Sequence, residues 1–188
     1  RQREAELLDN HKPSRIAPFV VALIIAAPAA AQSGGITPGG KAATDPGSAG
    51  ADGKGGVFPI RGRHTYGDGL GAGRYHQGQD LLAKCGKPVV AAQTGRVRKV
   101  GSDSSMGYHA IIKTKSSRVD QVYMHMLARP RVERGELVEA GETIGRVGTT
   151  GSSTACHLHF EMWSAPGWYK GGDVLDPTPS LKRWDRGR

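Results

Sequence analysis

The chain has 188 residues, 37% of them hydrophobic and 6% aromatic, with 28 glycines and a formal net charge of +9. A chain of this length builds one compact domain with flanking segments, and so many glycines speak against a helical bundle, which spends few residues on chain reversals. Residues 1–55 carry 6 Lys/Arg against 5 Asp/Glu and residues 56–188 carry 20 against 12; the excess in the later part draws it toward polyanions without choosing among nucleic acid, anionic lipid and an acidic cell wall.

Lys12 and Arg15 precede the apolar run Ile16–Ala31, which ends in three alanines. A basic flank, a short apolar core and a small-residue end have the form of a secretory signal cleaved after Ala31, or of a retained membrane anchor. The run is interrupted by Pro18 and Pro28 and is short for a span, which needs about 20 residues. Residues 1–31 are therefore expected as signal or anchor, with export following from either. Residues 32–56 are rich in Gly, Ala, Pro and Ser without apolar periodicity, the composition of a linker. A folded domain is expected over 57–180, with a basic tail over 181–188.

Within that domain, short β-type runs alternate with turn signals. Val89–Ala92 is expected to form a hairpin with Arg96–Val100 across Gln93-Thr94-Gly95. Tyr108–Lys113 and Val119–His125 give the next two strands, and the glycine-punctuated stretch 138–148 gives two more. His157–Trp163 is expected to close the sheet. Its alternation sets His157, His159 and Glu161 on one face and Leu158, Phe160 and Met162 on the other. No segment shows helical periodicity, although residues 1–9 could be locally helical. The fold class expected is all-β, an antiparallel sheet.

Two short motifs carry metal-binding residue types. His76 and Asp80 stand four apart around Gly78, and His157-Leu158-His159 lies on the last strand. Imidazole nitrogen and carboxylate oxygen are the usual non-thiolate zinc donors, and a catalytic zinc keeps three protein ligands and one open position. Residues two apart on a strand sit about 6.5–7 Å from each other, so one of His157 and His159 is expected as a ligand and the other beside the metal. Cys85 follows Asp80 and Cys156 precedes His157, tethering both cysteines to the site. In an exported protein such a pair favours a disulfide, with free thiols or zinc ligation as the alternatives. His64 would line a cleft or support a loop, His109 is expected as an exposed strand residue, and His11 has no assigned role.

These motifs stand together with Phe58-Pro59, Lys87–Ala92, Gly95-Arg96-Val97, Tyr123-Met124-His125, the Val138–Gly148 pattern, Gly151–Glu161 and Leu175-Asp176-Pro177. In order and spacing, over roughly residues 57–180, the set resembles the lysostaphin/LytM-type zinc metallopeptidases. The resemblance implies a groove-located site in which His76, Asp80 and His159 hold Zn2+ and His125 and His157 are the catalytic histidines. It implies hydrolysis of peptide cross-links or stem peptides of bacterial peptidoglycan, outside the cytoplasmic membrane. Zinc would acidify water and polarise the scissile carbonyl, and the histidine pair would accept a proton and stabilise the oxyanion. Some members lacking the ligands act without catalysis, so a wall-binding activator of another hydrolase is the alternative; all five positions are intact here. Expected partners are peptidoglycan and anionic wall polymers, with a membrane only if the N-terminal segment is retained. No stacking platform for nucleic acid is evident.

Overall fold

A computed structural model of the chain describes residues 56–73 and 75–187; the expected signal or anchor and nearly all of the expected linker lie outside the described residues. The alternating runs become β1 (Thr65–Tyr66), β2 (Gln79–Leu82), β3 (Pro88–Val90), β4 (Gly95–Asp103), β5 (Gly107–Thr114), β6 (Asp120–Met126), β7 (Leu137–Val138), β8 (Thr143–Arg146), β9 (His157–Trp163) and β10 (Val174–Leu175), followed by helix α1 (Thr178–Arg186). The main sheet is antiparallel in the order β1-β2-β9-β6-β5-β4-β7, with β10 also paired to β9, while β3 and β8 form a separate ribbon. The antiparallel β class expected from the sequence is the class observed.

Strand β9 does not close the sheet but lies inside it, between β2 and β6. The alternation explains why. Leu158, Phe160 and Met162 enter the main core with Leu81, Ile112 and Tyr123, and the opposite face is covered too, by a second cluster that includes Ile111, Val122, Met124 and Trp163. A strand covered on both faces belongs in the interior of a sheet. Strand β6 is buried along its whole length, so its polar residues Asp120, Gln121 and His125 are buried with it.

Three sequence expectations are corrected. Strand β3 makes no hairpin with β4. Val89 stands opposite Gly145 of β8, and β4 pairs with β5 and β7. The expected turn residue Gln93 is buried and accepts a hydrogen bond from Gln121 Nε2 at 3.0 Å, so a buried amide pair, not a tight reversal, forms this corner. The expected tail over 181–188 is largely helix. Leu181 and Trp184, one helical turn apart, are buried, and Trp184 meets Phe160 edge to face at 6.5 Å. Pro179 in the first turn and Gly187 at the end mark the boundaries; with so few apolar residues the period is too short to read from sequence. His109 is buried, at 1% exposure. It faces Gly101 of β4, where a Cβ would stand 2.9 Å from its Nε2, and the missing side chain makes room for the ring. Among the described residues no helix is long and apolar enough to cross a membrane.

Cys85 and Cys156 are joined by a disulfide across 5.2 Å between their Cα atoms. The bond ties the segment after β2 to the segment before β9, which are the two strands that carry Asp80, His157 and His159. Serine at either cysteine is expected to lower stability by about 2–4 kcal/mol, the usual loss for opening a long covalent loop, measured by denaturant unfolding. Thiol counting on the unfolded, unreduced chain should return no free thiol.

Candidate active site

The register of β2 against β9 places Asp80 opposite His159 and Leu82 opposite His157, and β6 brings Met124 opposite His159 from the other side. Gly78 allows the approach, since a Cβ there would overlap the Phe160 carbonyl and stand 2.9 Å from His159 Nε2. His125 follows Met124 with φ of 60°, a left-handed conformation that non-glycine residues rarely take. Its N–H donates to Met106 O at 2.9 Å, holding the turn that swings the ring beside His157, with centroids 4.7 Å apart. Sequence-distant His76, Asp80, His125, His157 and His159 thereby line one cleft of about 420 Å³, with Met106, Ser153 and Tyr169 on its walls.

Each imidazole is held by one nitrogen and presents the other. His76 Nδ1 meets Gly69 O at 2.8 Å, His125 Nδ1 meets Thr150 O at 2.8 Å and His157 Nδ1 meets Ala155 O at 2.8 Å. A carbonyl oxygen only accepts, so these Nδ1 atoms carry a proton and Nε2 of each ring is turned into the cleft. His159 is held the other way round. Its Nε2 stands 3.1 Å from Glu161 Oε1, leaving Nδ1 toward the cleft.

Two of the free nitrogens point at a single carboxylate oxygen. His76 Nε2 lies 3.1 Å and His159 Nδ1 2.9 Å from Asp80 Oδ1. Lone pairs converging on an anion repel one another unless a proton or a cation stands among them. The electrostatics of the three groups express that demand. The hydrogen bond to Asp80 raises His76. Burial would lower His159, yet its bonds to Asp80 and Glu161 outweigh burial and raise it to about 9. Burial would raise Asp80, but the bonds from His159 and His76 hold it below the ordinary carboxylate range. One donor atom from each of His76, Asp80 and His159 lies within 4.8 Å of the others. Two imidazole nitrogens, each oriented by an acceptor behind the opposite ring nitrogen, and one carboxylate oxygen fit a zinc ion with an open position.

His125 and His157 stand beside this triplet. Burial pushes His125 down to about 4, and the Thr150 carbonyl opposes only part of the shift, so the ring is neutral at pH 7. His64 lies away from the cleft, stacked on Phe58 at 4.0 Å and bonded through Nε2 to Asp185 of α1 at 3.2 Å; it supports structure. Glu161 is the residue that the motif reading left without a role. It is 2% exposed and spans His159 and the Trp163 indole N–H, the latter at 2.7 Å. Its signal was present as the third member of the His-x-His-x-Glu alternation. The carbonyls of Gly69, Thr150 and Ala155 had no signal, because every residue has one.

The sequence model of Peptidase family M23 matches residues 74–177. Lysostaphin of Staphylococcus simulans is 34% identical over 128 residues, covering 63% of this chain and 25% of its own length. The peptidoglycan DD-endopeptidase ShyC of Vibrio cholerae is 38% identical over 87 residues, covering 46% and 20%. The chain thus spans about a quarter or less of these relatives. The crystallised catalytic domain of S. simulans lysostaphin superposes with a TM-score of 0.57 at 32% identity, over 63% of this chain and 92% of that one. A zinc-containing peptidase from V. cholerae gives 0.53 at 28% identity, over 58% and 36%.

Proposed function

The chain belongs to Peptidase family M23, and on that premise we propose that it is an exported zinc metalloendopeptidase that hydrolyses peptide cross-links or stem peptides of bacterial peptidoglycan. The observation that carries the reading is the convergence of three donor atoms on one point beside two imidazoles pre-oriented by backbone carbonyls. The relatives named for action on peptidoglycan supply the substrate class, and the apolar run Ile16–Ala31 supplies the case for action outside the cytoplasmic membrane.

In this reading His76 Nε2, His159 Nδ1 and an oxygen of Asp80 hold the metal, and Glu161 keeps His159 in the tautomer whose Nδ1 is free. Zinc, when bound, supplies Lewis-acid polarisation of a carbonyl and acidifies water. The rest is done by the chain. A peptide lying in the cleft brings its scissile carbonyl near Nε2 of His125 and of His157. One of these atoms takes the proton of the attacking water, its positive charge shared with the backbone carbonyl behind Nδ1. The protonated ring then returns that proton to the leaving amine as the C–N bond breaks, and the neighbouring imidazole borders the same reacting carbonyl. Because Nδ1 is anchored in both rings, proton transfer at Nε2 needs no ring flip, which lowers the reorganisation the reaction requires.

The test is mass spectrometry of muropeptides released by the full chain from sacculi of different cross-link chemistries, with zinc measured on the same preparation. New free termini at one type of peptide bond, with about one zinc per chain, support the reading. Binding to sacculi without release of any fragment overturns it and leaves a wall-binding role.

A further inference from the structure

The excess charge of the domain is not spread evenly. A second groove of about 620 Å³ runs beside the cleft, between β4 and the loop after β9, and its lining holds Arg96, Arg98, Lys99, Arg134 and Lys170 against a single acid, Asp120. That acid is buried, at 1% exposure, and its charge is met by Arg98 Nη1 at 2.7 Å. The same Asp120 oxygen accepts the backbone N–H of Trp168 at 2.9 Å, which fastens the loop to the sheet. Gly167 permits this bond, because a Cβ there would overlap Asp120 Oδ2, and its φ of +120° is one that glycine takes without strain. Trp168 and Tyr169, thus fixed, form a ridge that lines the cleft on one side and the groove on the other. Lys99 Nζ sits 4.9 Å above the Trp168 ring, steadying the ridge from the groove side.

We propose that this groove is a second substrate-binding site, taking free carboxylates of the peptidoglycan peptide whose neighbouring segment occupies the cleft. The proposal rests on the peptidase reading for its substrate. Continuity selects the ligand. An anionic peptide crossing the Trp168–Tyr169 ridge passes from the histidines directly into a basic surface, whereas a separate phosphate polymer has no reason to be sited there. Exposed charges of this kind set encounter and orientation more than tight affinity, and their effect fades with salt. The site would favour wall with unamidated stem peptides over wall in which those carboxylates are amides.

The test uses the full chain and its R134E/K170E variant, both changes being at exposed positions away from the histidines. Binding and hydrolysis are measured on three kinds of sacculi: stripped of phosphate polymers, stripped and then chemically amidated, and unstripped. The expected result is that the unaltered chain binds stripped sacculi about tenfold more tightly than the variant at low salt. The difference should vanish on amidated sacculi and at high salt, with hydrolysis per bound enzyme equal in the two proteins. Equal binding of the two proteins to stripped sacculi overturns the proposal. A difference confined to unstripped sacculi also overturns it, and assigns the groove to phosphate polymers. Binding and cutting are read separately, so a chain that binds according to carboxylate but cuts no sacculus overturns the peptidase reading alone.

Discussion

Alanine at His125 or at His157 is expected to lower peptidoglycan hydrolysis by about 10²- to 10⁴-fold, the usual cost of losing a general base or an oxyanion donor, while zinc content stays unchanged. Neither ring belongs to the triplet of His76, Asp80 and His159, and three protein donors satisfy an open tetrahedral site. Both rings present Nε2 because Nδ1 is bonded to Thr150 O or Ala155 O. The pH profile gives a second readout. Burial holds His125 at about 4, so its Nε2 lone pair is available at neutral pH and is lost as pH falls through that value. The part of the rate that depends on His125 should therefore decline only in acid. Elemental analysis and turnover are measured on one preparation, with circular dichroism to show that the sheet is retained. Full activity in both variants removes the catalytic reading of the pair. Loss of zinc from His157→Ala together with its retention by His159→Ala exchanges the roles on β9.

Alanine at His76, Asp80 or His159 should remove both zinc and activity, with Asp80→Ala the most severe because it deletes the only negative charge among the three donors. Chelation of the unaltered chain should abolish hydrolysis, and added zinc should restore it. The metal-free protein carries its own signature. His159 is raised to about 9 by Asp80 and Glu161, above the value near 6.5 of an unfolded histidine. Its protonated form therefore contributes stability that is fully present below about pH 6.5 and is lost as pH rises through about 9. Zinc takes the place of that proton, so zinc uptake at pH 7 should release protons and tighten as pH rises. Calorimetric titration in two buffers of different ionisation enthalpy measures the proton count. Uptake with no proton release would show that the triplet is not the site of binding.

Much of the fold was legible because burial has a period. The alternation in His157–Trp163 correctly separated core from cleft, since a strand gives its two faces to two environments. The same pattern could not say that β9 is interior, because a one-sided reading of alternation assumes solvent on the polar face, and here that face carries the cleft and a second apolar cluster. The hairpin across Gln93–Gly95 was misread for a related reason. Adjacent strands in sequence usually pair, but Val89 finds Gly145 of β8 instead, a partner set by long-range packing. Helix α1 was missed because two buried residues, Leu181 and Trp184, are too few to display a helical period among basic neighbours.

What the sequence by itself determined is the chemistry available: the types of the five clustered side chains, their order along the chain, the glycine that lets two strands approach, and the cysteines flanking the ligand-bearing segments. The tertiary structure alone decided which atom of each ring is offered. That choice depends on backbone carbonyls of Gly69, Thr150 and Ala155 and on one carboxylate, Glu161. Donor identity is local and written residue by residue. Lone-pair direction is a property of the acceptor behind the ring, and backbone acceptors are the same for every amino acid, so only folding could place them.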